Sequence, residues 1–285
     1  MTSGFDSFSL AIFTTLTPAG IVAFICAALP LFFFSLEDEK RTRLNHFLAI
    51  PYAFVLIGFI ASATHLGTPS NALHVFSGIG RSPLSNEVLL AVIFLFLAGS
   101  YWMFTFRESF PVALARLWLG IACLTGLALI AMTSLAYSVE TVITWISWAT
   151  PFNLWLCSLL AGPIIGAFMC VYAQVTLPKF LLALNVLALG ALVVGAVFLF
   201  VYYSSLFDVA NNEFSAIELM PHYPLVIVAN VLFGSAGIAL AFVSLQKSLS
   251  RNKKLLILAA SITCLVLAVF VPRIAFYELH MTAGF

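Results

Sequence analysis

The chain has 285 residues, of which 63% are hydrophobic and 8% charged, with a formal net charge of +1. Soluble domains carry about a quarter charged and about half apolar residues, so a water-soluble fold of this size has no way to hide this much apolar surface. The composition describes an integral membrane protein and, with no basic tail or stripe, excludes nucleic acid as a partner.

Charges and turn residues divide the sequence into apolar runs of spanning length at about 10–36, 47–66, 88–106, 117–137, 152–173, 180–203, 224–246 and 255–276. They predict an all-α membrane protein of eight transmembrane helices, forming a single membrane domain over residues 1–285. The segment before the first run, Met1 to Asp6, lacks the positive stretch of a signal peptide, so an uncleaved first span is expected. Lys40, Arg41 and Arg43 separate the first two runs. The second run closes as Gly58-Phe-Ile-Ala-Ser-Ala-Thr-His65-Leu-Gly67-Thr-Pro69. The connection that follows, about 20 residues with Gly78, Gly80 and Pro83, is longer than most loops and is a functional candidate. Leu84-Ser85-Asn86-Glu87 then opens the third run.

Arg107 and Arg116 follow the third run, and Lys179 follows the fifth. Between them, the connection Ser138–Pro151 carries Trp145 and Trp148, which suit a membrane interface. The connection between the sixth and seventh runs holds Asp208, Glu213, Glu218 and His222 without a Lys or Arg. It reads either as a solvated loop or as a docking surface for another subunit. Lys247, Arg251, Lys253 and Lys254 follow the seventh run, and Arg273, Glu278 and His280 lie at or beyond the end of the eighth. Ten of the 12 Lys and Arg fall in the connections after runs one, three, five and seven. That bias predicts both termini on the outer, periplasmic side, together with His65 and Glu87. No internal sequence repeat is visible, and the five cysteines stand singly in apolar runs, where they read as packing residues.

His65, in the last turn of its span before a Gly/Pro stop, reads either as an interfacial histidine or as the acceptor of a quinol hydroxyl proton. A neutral imidazole, with an unperturbed pKa of about 6.5, suits the second role. Glu87 reads as a second acceptor or exit relay, or else as a helix N-terminal carboxylate favoured by the dipole, with Ser85 or Asn86 as cap. His74 and Arg81 lie in the loop between them, where they flank a headgroup or meet solvent. Arg273 is a costly group at membrane depth that Glu278 neutralises or that snorkels to the interface. A membrane b-type haem usually needs two axial histidines at matching depth. His46 sits at one end of the second run and His65, His74, His222 and His280 at the other side, so no haem is expected. No metal site is expected either.

Four separated stretches, Gly58–Pro69, Leu84–Glu87, Thr141–Pro151 and Arg273-Ile-Ala-Phe-Tyr-Glu-Leu-His280-Met-Thr-Ala-Gly, occur in the order and at the length of a known family. The protein resembles the membrane anchor subunit of bacterial dimethyl sulfoxide reductase, the DmsC family. The resemblance implies a haem-free anchor of the bacterial inner membrane that oxidises menaquinol in anaerobic respiration. It implies electron transfer to a four-cluster iron–sulfur subunit, and from there to a molybdopterin catalytic subunit that reduces S-oxides or N-oxides. His65 matches the family's quinol-linked histidine, and Gly67 and Glu87 match neighbouring motif positions. Asn71 departs where relatives carry an arginine, so either no positive charge is needed there or Arg81 supplies one. Without redox ligands of its own, the chain must pass electrons to a partner, and the soluble subunits are expected to dock on the outer loops. A polysulfide reductase-type anchor shares this quinone chemistry. A solute or proton transporter is the reading from another class, but mid-span charges and repeated halves, common in transporters, are wanting.

Overall fold

The structure is a computed structural model that describes residues 4–64, 69–107, 111–145, 148–212 and 214–282, the side chains of 4–6 and 69–72 excepted. The helices are α1 (Gly4–Phe33), α2 (Asp38–Phe47), α3 (Ala49–Thr64), α4 (Pro83–Phe104), α5 (Val112–Ala136), α6 (Ala149–Tyr172), α7 (Pro178–Ser205), the single turn α8 (Ala216–Leu219), α9 (Tyr223–Val243) and α10 (Arg251–Glu278). Eight segments are long and apolar enough to cross a membrane, α2 and α3 together forming one of them. Among the described residues there is no strand, only two isolated bridges. In lipid every backbone group must be satisfied within the chain, and helices achieve this segment by segment.

The helices close into two four-membered rings. In the first, α1 packs on α3, α3 on α4, α4 on α5 and α5 back on α1. In the second, α6 packs on α7, α7 on α9, α9 on α10 and α10 back on α6. Contacts of α1 with α6 and α10, and of α5 with α6, join the rings, and α1 and α6 are the most deeply buried spans.

Lipid tails are as apolar as leucine, so packing and small residues, rather than the hydrophobic effect, drive such contacts. Gly162 and Gly166 of α6 lie one turn apart against α1. A Cβ on Gly162 would stand 2.5 Å from the Val22 Cβ, and one on Gly166 2.5 Å from the Cys26 Cβ. Any larger residue would push the two rings apart. Polar side chains add a second kind of joint. Pro272 in α10 has no N–H to give the Ala268 carbonyl four residues back. Asn230 of α9 supplies the missing donor, its Nδ2 bonding Ala268 O at 2.8 Å. Ser261 of α10 returns the contact by donating to Gly237 O at 2.6 Å.

At the same end of the second ring the chain after α10 pairs with the connection between α5 and α6. Val142 bridges Thr282, and the Ile143 N–H donates to Met281 O at 2.8 Å. Thr144 donates its hydroxyl to Leu279 O, and Tyr202 of α7 donates to Thr144 O at 2.8 Å. Trp145 is buried, stacks on Phe276 and donates its Nε1–H to Phe276 O at 2.8 Å, whereas Trp148 is 68% exposed. Of the two tryptophans assigned to an interface by sequence, one therefore serves as an internal clasp.

Candidate functional site

The connection from α3 to α4 folds as a 3₁₀ helix, Pro69–Gly78, clamped onto the first turn of α4. Gly80, at φ +80°, turns the chain through a conformation that strains other residues, and its N–H donates to Asn86 Oδ1 at 2.7 Å. Gly78 lies so close to Ser85 that a Cβ there would collide with the serine side chain. Ser82 is the N-cap residue and Pro83 the first helical residue, a position that suits proline's fixed φ and missing N–H.

Glu87 is therefore not the helix-end carboxylate that one sequence reading made it. It sits four residues, about 6 Å, inside α4, and neither Ser85 nor Asn86 is the cap. It is 2% exposed and faces α5 beside Thr133. Thr133 is near enough to interact with the carboxyl, but neither oxygen makes a well-formed hydrogen bond among the described residues. A buried carboxyl without partners is costly, and such groups in a membrane mark candidate functional positions.

From Glu87 a polar seam runs through the interior. Tyr137, just beyond α5, lies within electrostatic reach of both Glu87 and Arg273 and packs edge-on against Tyr277, with ring centroids 5.5 Å apart. Arg273 is fully buried. Its Nε donates to Thr14 Oγ1 at 3.0 Å and its Nη2 to Tyr277 Oη at 3.4 Å. Tyr277 in turn donates to Thr14 at 3.2 Å. The guanidinium also lies over the Phe276 ring, 4.5 Å from its centroid, while Nη1 has no partner among the described residues. The sequence reading of Arg273 as snorkelling or neutralised by Glu278 is corrected here, since Glu278 is exposed and the arginine points inward. The signal for this arrangement was Tyr277, one helical turn from Arg273 on the same face. Thr14, 259 residues away, offered none.

The other sequence candidates divide. His65 and Gly67 lie outside the described residues, immediately beyond Thr64 at the end of α3. Asn71 belongs to the 3₁₀ helix, with its side chain outside the description. His74 is exposed. Arg81 is exposed too and donates to Ser77 O at 2.9 Å, so it closes the 3₁₀ helix rather than meeting Glu87. His280, also exposed, touches the edge of Trp145. Among the described residues no three His, Cys, Asp or Glu side chains gather in a metal-binding group. Chemically, the region offers a carboxyl with free oxygens, two phenols and a fixed positive charge, all shielded from water.

Comparison with known proteins bears on what this region serves. Residues 1–279 match the family model described as DMSO reductase anchor subunit (DmsC). The protein is 30% identical over 284 residues to the YnfH subunit of anaerobic dimethyl sulfoxide reductase from Escherichia coli K12, covering 100% of this sequence and 98% of that one. It is 30% identical over 287 residues to the C subunit of anaerobic dimethyl sulfoxide reductase from the same bacterium. To the corresponding C subunit from Haemophilus influenzae it is 27% identical over 295 residues. Both of these alignments cover 100% of this sequence and 98% of the relative.

Proposed function

The protein belongs to the DMSO reductase anchor subunit family, and on that premise we propose that it oxidises menaquinol where α3 ends and α4 begins. Membership makes it the multi-pass membrane anchor of a DMSO reductase complex, associated with a catalytic and an iron–sulfur subunit. Oxidation of a quinol to a quinone releases two electrons and two protons. In this reading the His65 imidazole takes the first proton, and Glu87 takes the second or relays one outward. The two electrons leave to an iron–sulfur cluster of the partner subunit, docked on the outer loops, and reach the molybdopterin subunit from there. Gly67, Asn71, His74 and Arg81, in the connection between the two groups, complete the proposed quinol-binding set. With quinol protons released on the outer side, where the acceptor's protons are also consumed, the anchor builds no proton gradient by itself.

The observation that supports this reading is Glu87, a buried carboxyl with unused oxygens beneath a clamped connection that starts at His65. The test is substitution of His65 by Ala or Arg. The complex should assemble in the bacterial inner membrane and still accept electrons from a soluble artificial donor, while menaquinol-dependent turnover falls by about 10²-fold or more, the lower range for losing a general base. Menaquinol oxidation at the normal rate would sink the assignment.

A further inference from the structure

Far along the sequence from His65 and Glu87, a cleft of about 610 Å³ opens where α6 and α9 end and α7 and α10 begin. That volume is typical of small-molecule sites. Lys40, Lys247, Arg251 and Lys254 line it, and no Asp or Glu does. Lys40 is paired with Glu37 at 3.0 Å, but Lys247, Arg251 and Lys254 form no ion pair among the described residues. Arg251 is held in place by its bond to Tyr172 O at 2.6 Å and by its stacking over the Tyr172 ring, which leaves its Nε buried without a partner. The N-termini of two long helices, α7 and α10, add their positive dipole ends.

The floor has a different character. Ala167, Leu181 and Leu258 are buried there, and Leu182 stands exposed at its side. Among them is Asn185, 1% exposed, with neither side-chain nitrogen nor oxygen hydrogen-bonded. An unsatisfied buried amide costs roughly 1–3 kcal/mol, so its presence in an apolar floor calls for a ligand group to meet it. Asn185 lies seven residues into α7, about 10 Å along the helix from Pro178. A bare phosphate held by the lysines at the mouth would not reach that depth. A phospholipid would, because its ester carbonyls hang below its phosphate and its acyl tails continue into apolar surroundings.

We propose that this cleft binds one anionic phospholipid, its phosphate against Lys247, Arg251 and Lys254 and its ester region against Asn185. Basic pockets between membrane helices recognise anionic headgroups in this way. The lipid would fill the junction of four helix ends in the second ring and tie α7 to α10.

The experiment uses the full-length protein purified in a neutral detergent, with added phosphatidylglycerol, phosphatidylcholine of the same acyl composition, or inorganic phosphate. Phosphatidylglycerol should raise the unfolding temperature saturably with one lipid per protein, and the other two should not. Lys247→Gln/Lys254→Gln should weaken that binding about thirtyfold, the loss of two headgroup cations. Lys247→Arg/Lys254→Arg should keep it. Asn185→Leu should also weaken it, and each variant is read against its own unfolding temperature in phosphatidylcholine. Equal stabilisation by phosphatidylcholine would reduce the cleft to bulk lipid contact, and the same shift with inorganic phosphate would make it an ion site. Either result overturns the proposal, as does an unchanged phosphatidylglycerol shift in the lysine-to-glutamine variant or in Asn185→Leu.

Discussion

Glu87 and Arg273 are the buried members of the described Asp, Glu, Lys and Arg side chains, and they ask opposite things of their neighbours. Glu87 makes no well-formed hydrogen bond among the described residues, so Glu87→Gln loses the ionisation at almost constant shape and should leave assembly intact. Quinol oxidation should slow, by less than in the His65 variants, and its pH profile should flatten. A steady-state profile of menaquinol oxidation identical to that of the parent would leave Glu87 without a chemical part. Arg273 leans on Thr14 and Tyr277 for every hydrogen bond it makes among the described residues. Breaking one partner of a buried charge is worse than removing the charge itself. Thr14→Val should therefore destabilise the bundle by about 1–3 kcal/mol, whereas Arg273→Met, which leaves the Tyr277–Thr14 bond standing, should cost less. Unfolding in mixed micelles ranks the two, and the reverse order would refute the argument. Sequence alone singled out both residues, but its helix-end alternative for Glu87 and its snorkelling or Glu278-paired readings of Arg273 do not hold. Glu87 looked like a helix end because the apolar run starts after it, while Pro83 had already begun the helix. Arg273 looked free to snorkel because Thr14, the residue that holds it, has no sequence mark that ties it to α10.

At the level of helices, hydropathy was enough to find eight spans, because length and apolar content decide whether a segment can cross a bilayer. It was silent on which helix touches which. Gly162 and Gly166 are small-xxx-small residues that spanning helices carry for several reasons, and only their place against Val22 and Cys26 shows the use. The pairing of α9 with α10 has a more specific logic, since a proline opens a carbonyl and an asparagine on the neighbouring helix closes it. Asn230→Leu should cost about 0.6–2 kcal/mol, the range for hydrogen bonds between membrane helices. Pro272→Ala restores the helix's own donor, so the asparagine loses its task and Asn230→Leu should cost much less in that background. Additivity of the two substitutions in a double-mutant cycle would show that the two residues are unrelated.

For the whole molecule, the two closed rings give an arrangement that sequence did not disclose. Each ring repeats the wiring of the other without a repeat of residues, because packing in lipid needs compatible shape and few fixed identities. The distribution of Lys and Arg makes a separate statement about the whole protein. Reporter fusions after Arg43 and after Lys254 should report cytoplasm, and fusions near Gly78 and Asn212 should report the outer side. A cytoplasmic Gly78 would invert the map, and would move the proposed docking face of the iron–sulfur subunit together with the proposed quinol site.

The central position of α1 has a consequence for how the protein is made. This helix carries Ser7, Thr14, Thr15 and Thr17 on buried faces, and it leaves the ribosome ahead of the seven spans that follow it. The arginine that Thr14 will bind follows 259 residues later, which is roughly 13–50 s of synthesis at usual bacterial or cellular rates. Through that interval α3, then α5 and α6, cover α1 in turn, but the side meant for α10 faces lipid or a membrane insertase until synthesis is nearly finished. Half-made molecules are thus the vulnerable form, open to proteolytic clearance. Substitutions along α1 should show themselves first as lost yield of protein, before any change in the turnover of the molecules that are completed.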